Sequence, residues 1–220
     1  MITIVIPVKG EETPGAAFFA RAAGHDVVVA ADASTGPAVL DAFRATGASI
    51  VVGTGPRGLR LVDAARGARG DILVFLHADT LLPADWAARV RQAIDGGAVA
   101  GAFRLAFDGG GLRMAWVAAW ANFRTRFTRI PYGDQAPFVR RDVYERLGGH
   151  APWPLLEDVE LYERLRKEGR IAILPDAVRT SPRRYLERGV ARTVLTNWRT
   201  LIRYRRGVNV EELARDYRKS

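Results

Sequence analysis

"DILVFLHADT", Asp71 to Thr80, is the stretch on which the fold turns. Ile72 to Leu76 are apolar without a break, and His77, Ala78 and Asp79 follow at once. An unbroken apolar run of this length suits a strand buried on both faces, as in a parallel sheet. In an extended segment residues i and i+2 point the same way, so His77 and Asp79 could face one ion at the strand tip. The plainer reading makes Asp79 a cap before the turn at "TLLP" and His77 a hydrogen-bonded core histidine.

Working outward, "ITIVIPV" (2–8), "DVVVAAD" (26–32) and "SIVVG" (49–53) are runs of the same kind. Ala- and Arg-rich stretches of helical length separate them at 14–24, 35–46 and 58–69. This alternation predicts an α/β, Rossmann-like domain: a mostly parallel central sheet, flanked by helices, with right-handed crossovers. In such sheets ligands bind beyond the carboxyl ends of the strands. Polar residues gather there: "KGEE" (9–12) after the first strand, Asp32 to Thr35 after the second, His77 to Asp79 after the fourth. The second half is less regular, with "GGG" (109–111) and "PYGDQAPF" (131–138) marking loops.

The bounds agree with one domain. The chain has 220 residues, 48% of them hydrophobic, enough for a sizeable core. It has no cysteine, which excludes disulfides, thiolate metal sites and cysteine nucleophiles. The start "MITIVIPVKG" lacks the features of a signal peptide, and no run approaches the roughly 18 apolar residues of a membrane span. The expected location is the cytoplasm. The net charge is +9, and it is unevenly placed. Residues 183–220 carry 11 basic and 4 acidic side chains, against 22 and 20 in residues 1–182. A cationic arm suits nucleic acid, anionic lipid or a phosphorylated ligand. Arginine supplies 30 of the 33 basic residues, so codon bias also contributes to the total, though not to the asymmetry.

Three further patterns stand out. In "LLEDVELYERL" (155–165) acidic Glu157, Asp158 and Glu160 open a predicted helix. They complement its dipole, or one of them is a general base aimed at the crevice. In "GVARTVLTNWRTLIRYRR" (189–206) Val190, Val194, Trp198, Leu201 and Ile202 form a stripe, with Arg192, Arg199, Arg203 and Arg206 opposite. That helix either packs its stripe on the domain or lies on anionic lipid at the inner face of the cell membrane. Trp116, Trp120, Phe123 and Phe127 follow i, i+4, i+7, i+11, an aromatic stripe suited to a core, an acceptor surface or a lipid surface.

Taken in order, "IVIPV" with a following Glu, Asp-x-Ser-Thr, "FLHAD", "PYGDQAPFVRRDVYERLGG" and "EDVEL" resemble the family 2 glycosyltransferases of GT-A fold. More narrowly, they resemble the small bacterial "transferase 2, rSAM/selenodomain-associated" subfamily, over nearly the whole chain. The resemblance implies an inverting, non-processive transfer of one sugar from a nucleotide-sugar donor to an acceptor hydroxyl, with Mg²⁺ or Mn²⁺. It implies one domain over 1–220: a donor-binding half (1–107), an acceptor and catalytic half (108–182) and a basic helical arm (183–220). Asp79 then matches the metal ligand, and His77 stands where a first Asp is usual. Pro7, Glu11, Asp32, Arg57 and Ala78 fall with the donor-binding residues, and Arg183 and Arg184 with the diphosphate. Gly133, Asp134 and Gln135 match the sugar and acceptor segment. Asp158 matches the catalytic base, beside Glu157.

The chain departs from the family pattern in places. "KGEE" replaces Asn-Glu-Glu, Ala31 takes the place of a first Asp, and "VDAA" (62–65) replaces "NAG". No Gln-x-x-Arg-Trp motif of processive synthases is present. Rival readings are a sugar nucleotidyltransferase-like enzyme, whose glycine-rich loop after the first strand is missing, and an inactive nucleotide-binding or membrane-associated protein. Nucleic acid is not expected as a partner, because it leaves His77, Asp79, Glu157 and Asp158 unexplained.

Overall fold

The structure is a computed structural model and describes residues 1–10 and 14–219. Glu11, placed with the donor-binding residues, lies outside the described residues. The first half is the expected alternation: β1 (Ile2–Val8), α1 (Ala16–Ala22), β2 (Asp26–Asp32), α2 (Pro37–Arg44), β3 (Ser49–Gly53), α3 (Arg57–Arg66) and β4 (Ile72–Phe75). The second half runs β5 (Thr80–Leu81), α4 (Trp86–Asp95), β6 (Ala98–Phe107), α5 (Gly111–Thr128), β7 (Phe138–Arg140), α6 (Arg141–Arg146), α7 (Glu157–Glu168) and β8 (Arg170–Thr180). Three helices close the chain: α8 (Arg183–Arg188), α9 (Val190–Arg205) and α10 (Val210–Lys219).

One sheet takes the order β3-β2-β1-β4-β7-β6-β8-β5. The first four strands and the β6–β8 pair are parallel, while β7 runs against both neighbours and β5 runs against β8. The continuous apolar runs now have a cause. Along β1, Ile2, Ile4, Ile6 and Val8 enter one core layer with Phe18, Phe43 and Trp86. Val5 enters the other, with Leu73, Phe75, Tyr162 and Leu165. Both faces are covered, so alternation disappears from the sequence. Pro7 is tolerated in this central strand for a local reason. The Val5 carbonyl accepts a bond from Leu76 N (3.0 Å). Two residues on, along the same strand edge, the β1–β4 pairing has ended, so no ladder bond calls for a Pro7 N–H.

Where β4 stops matters for the site. It ends at Phe75, and Thr80 N bonds the His77 carbonyl at 3.1 Å, closing a turn over residues 77–80. The i, i+2 rule for extended chain therefore does not govern His77 and Asp79.

The C-terminal arm is helical, as expected, but α9 is rotated from the expected packing. Its buried residues are Thr193 and Thr200. Leu201 and Tyr204 rest against the core, and Trp198 stays 58% exposed. A stripe through Trp198 packed on the domain is thus ruled out. Arg203 is not a free basic group either, since it pairs with Asp216 (2.7 Å) and Glu212 (2.5 Å) on α10. No helix among the described residues is long and apolar enough to cross a membrane.

His150 is a core histidine. Its Nδ1 lies 2.9 Å from the Tyr144 hydroxyl, and its ring meets Phe75 edge-on at 4.6 Å. Burial, with Arg57 and Arg164 nearby, pulls its pKa from 6.5 to about 3. The unfolded chain therefore takes up this proton first. Stability from His150 is complete above pH 6.5 and is lost as pH falls toward 3, by about 2 kcal/mol at pH 5. His77 adds a loss of the same sign, its pKa being held at about 3 as well. Urea unfolding at pH 7 and pH 5 checks this. His150→Gln should remove about 2 kcal/mol of this acid loss, more than half of the net change, because Asp134 and Glu157, with raised pKa values, act in the opposite sense. An unaltered change would contradict it.

Candidate active site

The crevice beyond β1 and β4 is closed from below by α7. Leu156, just before that helix, sits at φ 62°, in the left-handed region that a leucine seldom adopts. Such a conformation costs roughly 1–2 kcal/mol and tends to persist where it aims a functional group. Here it brings the first two helical residues to opposite duties. Glu157 points inward and is 1% exposed. Asp158 borders the crevice, and its Oδ2 accepts a 2.6 Å bond from the Gly133 backbone N–H.

Glu157 is met by Arg57, which ion-pairs with it through Nε. The packing explains why. The Gly58 N–H, in the first turn of α3, bonds the Trp153 carbonyl at 3.1 Å. A Cβ on Gly58 would lie 1.9 Å from the Ala151 carbonyl oxygen, so only glycine allows α3 to seat on the loop before α7. Arg57 also reaches within 3.9 Å of Asp158 Oδ2 and 3.4 Å of His77 Nε2. Burial raises the Glu157 pKa, with Arg57 opposing.

His77 and Asp79 diverge. His77 faces Arg57. Burial, with Arg57 and Arg184 as neighbouring cations, keeps its imidazole neutral. Asp79 faces the other way, where the hydroxyls of Thr80 and Thr180 lie 3.2 and 3.4 Å from its Oδ1 and 3.0 Å from each other. Those threonines are paired across β5 and β8.

The segment 131–138 supplies the roof. Gly133 has no room for a side chain: a Cβ there would lie 2.7 Å from His77 Nε2 and 3.4 Å from Asp158 Oδ2. Asp134 is half-buried, and its desolvation lifts its pKa to about 6; Asp158 and Asp79 push the same way and Arg124 opposes. Asp79, Asp134 and Asp158 therefore share one field. Gln135 turns inward instead, bonding Thr125 Oγ1 (2.8 Å) and the Phe103 carbonyl (3.2 Å). Fully buried, it holds the roof in place.

The remaining donor-side residues fall around this centre. Asp32 accepts from Ser34 N (3.0 Å) and Oγ (2.6 Å), bonds that hold its pKa low, and it also pairs with Arg60. It organises the loop after β2. Ala78 sits in the turn between His77 and Asp79. At the start of α8, Arg183 is exposed and lies 3.7 Å from Glu187. Arg184 lies over the Tyr217 ring at 4.8 Å.

Five side chains surround this centre without having been singled out in the sequence. Arg124 lies 3.3 Å over the Tyr132 ring centroid, and Thr180, Tyr185 and Tyr217 come from the last third of the chain. Tyr132 adjoins "GDQ" and was within reach of motif reasoning. The others arrive from distant elements and left no local signal.

A divalent ion at such a crevice needs hard oxygen ligands. Asp79 offers one and fits. His77 does not, because its Nε2 faces a guanidinium.

No family model and no curated protein matches this chain. Solved structures match its fold. One is Staphylococcus aureus TarS 1-349 in complex with UDP, with TM-score 0.63, 15% identity, 84% of this chain and 62% of that chain. A second is mannosyltransferase PcManGT from Pyrobaculum calidifontis with GDP-Man and Mn²⁺, at 0.62, 20%, 82% and 56%. A third is glucosyl-3-phosphoglycerate synthase from Mycobacterium tuberculosis with Mg²⁺ and uridine-diphosphate, at 0.56, 19%, 81% and 69%. The chain thus spans less than two thirds of the first two. What is shared is the GT-A glycosyltransferase fold.

Proposed function

We propose that this protein is a glycosyltransferase that moves one sugar from a nucleotide-sugar donor to an acceptor hydroxyl with inversion. The observation that carries the reading is the placement of Asp158 at the head of α7, where its Oδ2 accepts from the Gly133 N–H, with Asp134 in the same field. Structural neighbours that bind UDP or GDP-Man with Mn²⁺ or Mg²⁺ support it.

In this reading Asp79 would hold a divalent ion, whose charge would offset the negative charge on the departing phosphate. Arg184, a neighbouring cation of His77, adds positive charge to the crevice. Asp158 takes the proton of the acceptor hydroxyl while that oxygen bonds the anomeric carbon and the carbon–phosphate oxygen bond breaks. The Gly133 N–H and Arg57 fix the carboxylate that does this. Asp134, with a pKa of about 6, is partly protonated near neutrality and can donate a hydrogen bond to a sugar or acceptor hydroxyl.

A thermal-shift panel of nucleotide sugars, with and without Mn²⁺ or Mg²⁺, tests the reading. A matching donor should raise the melting temperature, since a ligand that binds only the folded chain stabilises it by about 2.7 kcal/mol at 100 times its Kd. Asp79→Ala should lose the metal-dependent part of that shift and keep its own melting temperature. Asp79 is largely exposed, so a folding defect is not expected. An undiminished metal-dependent shift in Asp79→Ala would remove the assignment.

A further inference from the structure

Eleven large hydrophobic side chains are exposed among the described residues, and eight of them lie on α5, α8 and α9. These helices touch one another: α9 contacts both α5 and α8. On α5, Leu112 is 90% exposed, Trp116 64% and Phe127 68%. Trp120 stacks on Phe123 at 5.9 Å, and Phe123 meets Phe127 at 4.7 Å, so the stripe is continuous. The opposite face of α5 is the packed one, with Met114, Val117, Ala118 and Thr125 buried. The helix therefore has its core contacts and keeps a second apolar face bare. A patch of this size on a soluble surface calls for an occupant.

Charge decides which. Residues 111–129 contain Arg113, Arg124, Arg126 and Arg129 and no Asp or Glu. Residues 189–206 contain Arg192, Arg199, Arg205 and Arg206, besides Arg203 paired with Asp216 and Glu212 on α10, and again no acid of their own. Beside Phe123, Arg104, Arg126 and Arg129 line one groove. A second copy of this face would set arginine against arginine. Tryptophan and phenylalanine flanked by arginine, with no acid, match the boundary between headgroups and acyl chains of an anionic bilayer.

We propose that α5, flanked by α9, is a membrane-docking face that lies flat on an anionic bilayer, with Trp116, Trp120, Phe123 and Phe127 in the interface and the neighbouring arginines on lipid phosphates. The docking element is thus the aromatic stripe of α5, and the basic arm assists it. The aromatic stripe lies opposite the buried side of α5, on which Thr125 bonds Gln135, so the proposal holds whatever the donor is.

The test is flotation of the whole chain with vesicles of phosphatidylcholine alone or with about one third phosphatidylglycerol, at low and moderate salt. Binding to the anionic vesicles should be clear, weaker at moderate salt because exposed charges are screened, and slight on the neutral ones. Tryptophan emission should shift to the blue on binding. The triple variant Trp116→Ser, Trp120→Ser, Phe127→Ser alters only exposed positions. It should keep the melting temperature and lose at least about tenfold in vesicle partition, given the apolar area withdrawn from the interface. Absence of binding at low salt overturns the proposal. So does binding that the triple variant retains. A dimer in light scattering that the triple variant abolishes, without vesicle binding, overturns it in favour of a self-interface.

Discussion

Asp158→Asn should lower turnover by about 10²-fold or more, the usual loss when a general base is removed, and leave donor affinity nearly unchanged. The substitution keeps the size and one carbonyl oxygen of the side chain. That oxygen can still accept from the Gly133 N–H, now 2.6 Å from Asp158 Oδ2, so the roof over the crevice stays in register. The asparagine cannot take a proton from an acceptor hydroxyl. The effect should therefore sit in kcat, because donor and acceptor still bind and only proton transfer is lost. Glu157 cannot substitute, being buried and paired with Arg57. Asp134 is the nearest rival, a carboxyl in the same field with its pKa raised to about 6. Asp134→Asn tested beside it separates the two. If Asp158→Asn turns over normally and Asp134→Asn does not, the base is Asp134 and Asp158 only shapes the segment.

Much of this centre was legible in the sequence because it depends on local pattern. Two-sided burial writes itself as continuous apolar runs, which is why β1, β2 and β3 fall where those runs do. The ordered motifs also bring Gly133 next to Asp158, 25 residues away. The failures share a cause. A periodicity names a face but not the side that is buried. The aromatic stripe of α5 suits core or surface equally by its spacing, and it is solvent-facing because Met114, Val117 and Thr125 already fill the inner side. On α9 the inward face is built from Thr193 and Thr200, small residues that a hydrophobic pattern passes over. The pairing of His77 with Asp79 assumed extended chain up to residue 79, and the turn after Phe75 sends the two side chains to different partners. Gln135 carries a motif's name but spends its amide on Thr125 and Phe103. Such choices depend on contacts with elements tens of residues away, and no local window contains them.

Arg57→Met should be the most destabilising of the substitutions considered, because of what it strands. Arg57 was placed among the donor-binding residues, yet its guanidinium is engaged from behind by Glu157, a carboxylate with 1% exposure whose other oxygen has no hydrogen-bond partner among the described residues. Removing one partner of a buried pair leaves an uncompensated charge and costs about 3–5 kcal/mol. For a chain of this length that is on the order of 10 °C in melting temperature. Methionine fills most of the volume, so a cavity adds little. Glu157 can escape by protonating, and burial already raises its pKa. The loss should therefore shrink as pH is lowered, since the neutral acid carries no stranded charge. The double variant Arg57→Met, Glu157→Gln removes both charges and should recover most of the stability. It should not recover activity, because Arg57 also stands 3.9 Å from Asp158 and 3.4 Å from His77 and fixes the crevice wall. Urea unfolding of the two single variants and the double gives the coupling directly. If Arg57→Met unfolds like the parent chain and only weakens donor binding, the guanidinium belongs to the ligand and its bond to Glu157 is incidental. If the single variant is unstable and the double is restored yet inactive, one arginine both neutralises a buried acid and orients the base beside it.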